Sequence, residues 1–270
     1  MKMRWIAVPY IVWMVLFTVV PIFLIVWYAI TGAPGGGLTL AHLIRFGDWV
    51  YVKVLLRSLG MAILCTAICL VLGYPVALIL SRRPSGGMLA VLFILPMWMN
   101  FLLRTYAWMS LLENTGLINR FLELIGLERV QFLYNPGAVL LGMTYNFLPF
   151  MILPIYTVLQ KIDPSLPEAA RDLGANEYGV FLKVILPLSA PGILSGIVMV
   201  FMPAVTTFVI SRLLGGGQYM MFGDLIQNQF LFVGDWHFGS ALSLIMMALI
   251  LLSMAIMNRF SQDAEGRPLL

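Results

Sequence analysis

Six stretches of this sequence contain no Asp, Glu, Lys or Arg, and their length constrains the fold more than any other feature. They are Trp5–Ile30, Ser58–Ser81, Pro84–Leu103, Val130–Gln160, Val184–Ser211 and Trp236–Asn258. An α-helix needs about 20 apolar residues to cross the ~30 Å hydrocarbon layer of a bilayer, so each stretch is long enough to span it. Internal prolines are compatible with spans, because neighbouring helices can bind the backbone groups that a proline frees. The sequence predicts an all-α integral membrane protein with six transmembrane helices.

The composition supports this class and argues against others. Hydrophobic residues make up 61% of the chain and charged residues 10%, and the mean hydropathy is +0.96, which is too apolar for a soluble domain. The strands of a membrane β-barrel would show short segments of alternating polarity instead. The net charge of +4 is spread over both predicted faces, so we expect a lipid membrane and no nucleic acid as a partner.

The topology follows from the two ends of the chain and from the basic residues. Lys2 and Arg4 precede the first apolar stretch, as in a signal peptide, but that stretch is about twice as long as a signal core and no A-x-A site follows it. We therefore expect a retained helix. Lys and Arg are denser in the segments that lie inside if both termini are cytoplasmic, which favours that orientation. The predicted parts are 1–50 (first helix and outer loop), 51–260 (five-helix core with a cytoplasmic loop at about 161–186) and 261–270 (cytoplasmic tail).

Several smaller features of the sequence carry predictions of their own. Thr39–Phe46 and Gly116–Leu127 have apolar residues at helical spacing and predict short helices in the outer loops. Gly32–Gly37 and Leu213–Gln218 predict flexible turns. Cys65 and Cys69 lie within one span, so we expect reduced, small core residues.

The sequence lacks the residue patterns of an enzyme or of an ion-coupled carrier. "LGGGQ" looks like the signature of an ABC ATPase, but no G-x-x-x-x-G-K-[ST] phosphate-binding loop occurs, so the chain cannot hydrolyse ATP alone. With His42 and His237 as the only histidines, we expect no metal site, and we find no catalytic constellation. No charged residue is expected deep in a span: Arg104 is expected to reach the outer interface, and His237 to be interfacial.

One polar stretch interrupts this apolar chain, "EAARDLGANEYGVFLKVILPLSAPG" from Glu168 to Gly192. It predicts a helix–turn–helix, with Ser165 as N-cap, Glu168 reaching back as in a capping box, and Gly174 ending the first helix. The second helix is predicted to begin near Asn176 and to break at Pro187. The residues leave two interpretations open: a surface loop in which Glu168 only caps a helix, or a docking surface for a partner that carries a basic group.

The stretch resembles the EAA loop of bacterial ABC-importer permeases in Glu168-Ala169-Ala170, Gly174 and Leu186-Pro187, with Phe181 and Pro191 also in register. Further resemblance, to the longer permease subunit of spermidine/putrescine-type importers, lies in Phe101–Leu127, Tyr145–Asp163 and Gly234–Ser243. It implies a type I ABC-importer permease fold in the bacterial inner membrane, in which the loop couples to an ATPase. The coupling residues it implies are Glu168, Ala169, Ala170, Gly174, Phe181 and Pro187.

The resemblance also implies partners. They are ATPase subunits that bind the ATP, a homologous second permease, and an extracytoplasmic solute-binding protein; this chain itself needs no cofactor. Polar residues of the later spans, Tyr145, Asn146, Thr206 and Thr207, are candidates for the solute pathway, although Thr206 and Thr207 could instead hydrogen-bond between helices. The implied solute is a polyamine. The alternatives are another small solute or, from a different class, a gradient-driven carrier or channel.

Overall fold

A computed structural model describes residues 8–32 and 37–265 of the chain, and this part is almost entirely helical. In chain order the helices are α1 (Val8–Ile30), α2 (Ala41–Arg45), α3 (Trp49–Ser81), α4 (Gly86–Trp98), α5 (Phe101–Leu112), α6 (Leu117–Leu124), α7 (Pro136–Leu159), α8 (Ser165–Asp172), α9 (Glu177–Thr206), α10 (Val209–Leu214), α11 (Phe222–Asn228, continued by a π-turn at Gln229–Val233) and α12 (Trp236–Glu265). The predicted helices at 39–46 and 116–127 are confirmed by α2 and α6.

Within the described part of the chain, five helices are long and apolar enough to cross a membrane: α1, α3, α7, α9 and α12. The stretch Pro84–Leu103, predicted as one of the six spans, is broken near its end. Helix α4 ends at Trp98, and the next helical segment leaves it at 88°. The reason is local, because the Asn100 side chain accepts a hydrogen bond from the backbone N–H of Leu102 at 2.8 Å and so caps a new helix.

Two of the prolines inside the long helices follow wide helical turns. Pro21 and Pro187 each lie two residues after a π-turn, formed by Val15–Val19 and Phe181–Ile185. A proline cannot donate to the carbonyl four residues earlier, and a π-turn loosens the helix where that bond is missing. Helix α9 therefore runs without interruption from Glu177 to Thr206, and the predicted break at Pro187 is wrong.

The centre of the bundle is formed by α3, α7 and α9. Gly73 of α3 faces Met151 of α7, and Gly196 of α9 faces the same methionine, where an added Cβ would lie 2.7 Å from its sulfur. Small residues of this kind let helix backbones approach closely in a membrane bundle. Cys65 and Cys69 are fully buried free thiols in this core, as predicted.

Two ends of the bundle follow from this packing. The pairs Cys69–Thr144 and Gly73–Met151 show that α3 and α7 run in the same direction, whereas Gly192 packs on Ile155 and α9 runs against them. The C-termini of α3 and α7 and the N-terminus of α9 therefore share one end, which also carries α8. We call it the α8 end, and the other, which carries α10 and α11, the α11 end.

The peripheral helices are largely exposed. Helix α1 packs on α12, but its large side chains, Trp13, Phe17 and Phe23 among them, point away from the bundle, as expected of side chains that face lipid. Gly216 and Gly217 have positive φ and form the predicted glycine-rich turn. Of the other predicted turn, Gly32–Gly37, residues 33–36 lie outside the described residues. Helix α12 continues to Glu265, so the predicted tail at 261–270 begins inside a helix. Residues 266–270 lie outside the described residues.

Candidate functional site

The first helix of the polar stretch, α8, begins differently from the predicted capping box. Ser165 is the first helical residue, Pro164 occupies the N-cap position, and no side chain caps the helix there. Asp163 acts just before it, because its Oδ1 accepts a hydrogen bond from the Ser165 N–H at 2.9 Å. This bond lowers the pKa of Asp163. The predicted roles of Ser165 and Glu168 in a capping box are wrong. Asp163, directly before Pro164, is the residue in the sequence that could have indicated the observed start of the helix.

The turn between α8 and α9 is a Schellman motif. Gly174 has φ +86°, its N–H donates to Arg171 O at 2.8 Å, and the Ala175 N–H donates to Ala170 O at 3.0 Å. The left-handed conformation favours glycine, so the predicted helix end at Gly174 is confirmed. The predicted start of the next helix is confirmed too, since Asn176 caps α9 by accepting from the Gly179 N–H at 2.8 Å.

An ion pair that sequence reasoning missed braces this turn. The Arg171 guanidinium donates to both carboxylate oxygens of Glu177, at 2.6 and 3.3 Å. The hydrogen bond to Arg171 lowers the pKa of Glu177, and the same contact raises the pKa of Arg171. Both side chains are exposed to solvent, so the pair adds little stability and mainly fixes the position of Arg171 relative to Glu177. They lie six positions apart in the sequence, and the intervening turn brings them together.

The outer surface of this element carries a free carboxylate and two apolar side chains. Glu168 is exposed, and its carboxylate makes neither a hydrogen bond nor an ion pair with any residue that the structure describes. Leu173 is 89% exposed and Tyr178 is 71% exposed. Ala169 is exposed beside Glu168, which leaves the surface next to the carboxylate low. We call Glu168, Ala169, Leu173 and Tyr178 the docking surface.

The remaining predicted coupling residues lie at the base of this element. Ala170 is half-buried and packs against the core, and Phe181 meets the ring of Tyr74 edge-on at 5.8 Å. The Tyr74 hydroxyl lies 2.9 Å from the Ser189 hydroxyl, which joins α3 to α9. Pro187 follows the π-turn inside α9. The structure therefore brings Glu168, Ala169 and Gly174 to an exposed tip and places Phe181 and Pro187 in the helix that carries it.

The four predicted pathway residues do not line one cavity. Tyr145 is partly exposed and packs edge-on against Trp108, whereas Asn146 is only 2% exposed and donates to Gly142 O at 2.8 Å. Tyr145 and Thr206 line separate cavities. The Thr206 hydroxyl donates to Met202 O of its own helix at 3.1 Å, so the alternative of a bond between helices is wrong for this residue. Thr207 is buried at the end of α9.

Two further charged or titratable side chains, Arg104 and His237, make contacts that the sequence did not predict. Arg104 was expected to reach the outer interface; its side chain is only 9% exposed within the protein, and its Nε has no hydrogen-bond partner among the described residues. The break before α5 turns it inward. His237 stacks on His42 with ring centroids 5.4 Å apart, and its Nδ1 lies 3.0 Å from Tyr28 O. Within residues 8–32 and 37–265, no group of three metal-binding side chains comes together.

The sequence is similar to characterised transport proteins over nearly its whole length. It is 39% identical over 252 residues to the spermidine/putrescine transport system permease protein PotB of Escherichia coli K12, covering 89% of this chain and 92% of that protein. The fold matches a bacterial ABC transporter involved in the import of alginate, with a TM-score of 0.83, 17% identity, and coverage of 96% and 94% of the two chains.

A second solved structure matches at a TM-score of 0.79 and 17% identity, covering 98% of this chain and 96% of that chain: the alginate transporter in complex with alginate pentasaccharide-bound periplasmic protein. The family model for the binding-protein-dependent transport system inner membrane component matches residues 3–265. The match spans the apolar helices, the exposed polar tip and the broken span alike, and the chain belongs to this family of inner membrane transport components.

Proposed function

We propose that this chain is one of two permease subunits of an ATP-driven importer for polyamines such as spermidine and putrescine. Its similarity to PotB supports the solute class. The observation that carries the coupling role is the docking surface, which exposes a carboxylate that pairs with no described residue on an otherwise apolar chain. The partners are two ATPase subunits, a homologous permease and a solute-binding protein, the last supported by the periplasmic protein bound in the alginate transporter.

In this proposal the chain has six spans, with both termini in the cytoplasm. The bent pair of α4 and the segment Phe101–Leu124 counts as one broken span, and such breaks are tolerated where a helix is buried in protein or lines a cavity. The density of basic residues favours cytoplasmic termini. The α8 end then faces the cytoplasm and the ATPases, while the α11 end faces the binding protein.

The docking surface fits an ATPase cleft that offers a basic group beside an apolar floor. Leu173 and Tyr178 would lose exposed apolar surface on docking, and aromatic residues are enriched among interface anchors. Glu168 would pair with the basic group, since this chain provides it with no described partner. Arg171 is occupied by Glu177 and so does not compete for Glu168 within the loop.

Motion of the docked tip reaches the far end of the bundle through α9. That helix has 30 residues, which corresponds to about 45 Å at 1.5 Å per residue. Because it is continuous, a tilt imposed on Glu177 by the ATPase moves Thr206 as well. The edge-on contact of Phe181 with Tyr74 passes the same motion to α3. Closure of the two ATPases would thus switch the bundle between two states, with nucleotide bound at a distance from the pathway.

The test is reconstitution in proteoliposomes with the ATPase, the second permease and the binding protein. Uptake of labelled spermidine should require all four components and ATP. Uptake by the permease pair without ATPase would establish the gradient-driven carrier instead. ATP-dependent uptake of a different solute, with none of spermidine or putrescine, would retain the importer and reject the polyamine.

A further inference from the structure

A cavity of about 290 Å³ opens at the α11 end, beside α10 and α11. The side chains that give it chemical character are Arg212, Asp224, Gln227, Asn228 and Phe232. Its volume is close to the lower limit of ~300 Å³ for small-molecule sites in proteins. None of these residues belongs to the docking surface or to the predicted pathway residues.

Asp224 offers this cavity an incompletely paired carboxylate. Its Oδ2 accepts from the Ser211 hydroxyl at 2.5 Å and from the Met221 N–H at 3.3 Å. Its Oδ1 accepts no hydrogen bond from any residue in the described part of the chain. Burial raises the pKa of Asp224, because the charged form has lost water without gaining enough donors. A cation that entered the cavity would supply the missing partner.

A cation from the chain itself already occupies part of the cavity. The Arg212 guanidinium donates to Gln227 Oε1 at 3.3 Å, and its Cζ lies 4.7 Å from the centre of the Phe232 ring. Among the described residues it forms no ion pair with Asp224, although its charge lowers the pKa of that carboxyl. A carboxylate, an amide oxygen and an aromatic face are together the groups that recognise an alkylammonium.

We propose that this cavity binds one ammonium end of the solute on its way from the binding protein, and that Arg212 is a tethered competitor which the solute displaces. The proposal rests on the proposed function, in which the solute is a polyamine. The ammonium takes the free Oδ1 of Asp224 and the Gln227–Phe232 position that Arg212 holds in the absence of solute. Such competition keeps the site weak, because the cavity is open to solute only in the fraction of molecules in which Arg212 has left. A weak site suits a transporter, which must release what it binds.

A purely structural role for the two charges makes the opposite prediction. If Arg212 only stabilises the buried charge of Asp224, removing either side chain harms the same arrangement, and both changes should shift solute binding in the same direction. If Arg212 competes with the solute, the two changes should act in opposite directions. The sign of the Arg212 effect therefore separates the two.

The experiment is equilibrium binding of tritiated spermidine to the complex of both permeases and both ATPases in nanodiscs. The binding protein is left out, so that it does not contribute to the signal. We expect Asp224→Asn to weaken binding roughly tenfold, which corresponds to the loss of one charged hydrogen bond. We expect Arg212→Gln to tighten binding at least about twofold, since it removes the competitor. Glu123→Gln and Arg129→Gln make the same charge changes in an exposed ion pair away from the cavity, and should leave binding unchanged.

Three outcomes overturn the proposal. Weaker binding in both cavity variants, or no change in either, rejects the site while ATP-driven spermidine uptake by the wild type still stands. Absence of spermidine uptake by the reconstituted wild type rejects the proposed function, and the site with it. Should Asp224→Asn fail to assemble, as judged by gel filtration, Arg212→Gln decides alone, because only competition predicts tighter binding.

Discussion

The exposed turn at the α8 end and the α11 end of the bundle are held together in different ways. At the α8 end, the contacts that shape the turn join residues close in sequence: Asp163 with Ser165, Arg171 with Gly174 and with Glu177, and Asn176 with Gly179. At the α11 end, the contacts join distant segments. The Ser58 hydroxyl accepts from the Phe222 N–H at 2.7 Å, Tyr134 donates to Leu214, and Arg45 pairs with Asp235.

This difference suits two tasks. A tip that is held by local bonds keeps its shape while the bundle around it moves, so it can transmit force from an ATPase. An end that is assembled from distant segments can open and close, since moving one helix changes several of its contacts at once. The comparison can be tested by breaking each kind of contact separately.

The largest effect should come from Glu168→Gln at the docking surface. If Glu168 meets a basic ATPase residue in a desolvated interface, the change leaves that charge unpaired and costs ~2–5 kcal/mol, or more than tenfold in assembly or coupling. The measurement is substrate-stimulated ATP hydrolysis and spermidine uptake in proteoliposomes. Ser165→Ala should be nearly normal, because Ser165 is not a cap. Equal, mild effects of the two changes would remove Glu168 from the docking role.

At the α11 end, the comparable change is Ser58→Ala. It leaves the fully buried N–H of Phe222 without its acceptor, which typically costs ~1–3 kcal/mol. We expect a lower thermal midpoint of the purified complex. The matched control is Ser253→Ala, because among the described residues the Ser253 hydroxyl bonds only to Leu249 O of its own helix. A midpoint that falls equally in both variants would show that the Ser58 contact does not hold α11.

A smaller effect is expected from Gly174→Ala. The φ of +86° costs a side-chain-bearing residue roughly 1–2 kcal/mol, which should loosen the docking tip and reduce coupling of ATP hydrolysis to uptake. Gly126 provides a matched control, with φ +81° and equally open surroundings, but beyond α6 and away from the docking surface. Gly126→Ala should therefore keep normal coupling. Loss of coupling in both variants would argue against a specific role for the turn at Gly174.

The smallest effect should come from breaking the ion pair between Arg171 and Glu177. The pKa of Glu177 is lowered in the folded state, so its stabilising effect is present above the unfolded pKa of about 4.3 and disappears as the pH falls through the lower, folded value. Amide hydrogen exchange in the α8–α9 turn should be slightly faster in Glu177→Gln than in the wild type at pH 7. The difference should shrink in acid. A difference that is constant with pH would mean that the charge is not involved.

The sequence predicted the local features of this protein well. Gly174 and Asn176 were recognisable because a Schellman turn and an N-cap depend on a few adjacent residues. The predicted capping box failed against a local competitor, because the Asp163 side chain accepts from the Ser165 N–H to which Glu168 was expected to reach back. The predicted break at Pro187 failed because the preceding π-turn accommodates the proline within the helix. Such a turn has no clear signature in the sequence composition.

Features that depend on distant residues were not predictable in this way. The inward position of Arg104 follows from the break at Asn100 and from the packing of α5 on other helices. The cavity lined by Asp224, Arg212 and Phe232 forms only where α10, α11 and a π-turn pack together, and no residue spacing in the sequence predicts it. Nor did the sequence show that Tyr145 and Thr206 line separate cavities.

By itself, the sequence determined that this chain is a bundle of membrane helices with one polar turn exposed at its end. The physical reason is that uncharged stretches of this length are stabilised by insertion into a bilayer. Glycine and asparagine determine a turn through their own backbone and side chain. Only the tertiary structure decided which charges are buried, which are paired and which face a cavity. Desolvation and hydrogen bonding of a side chain depend on neighbours that folding brings from anywhere in the chain.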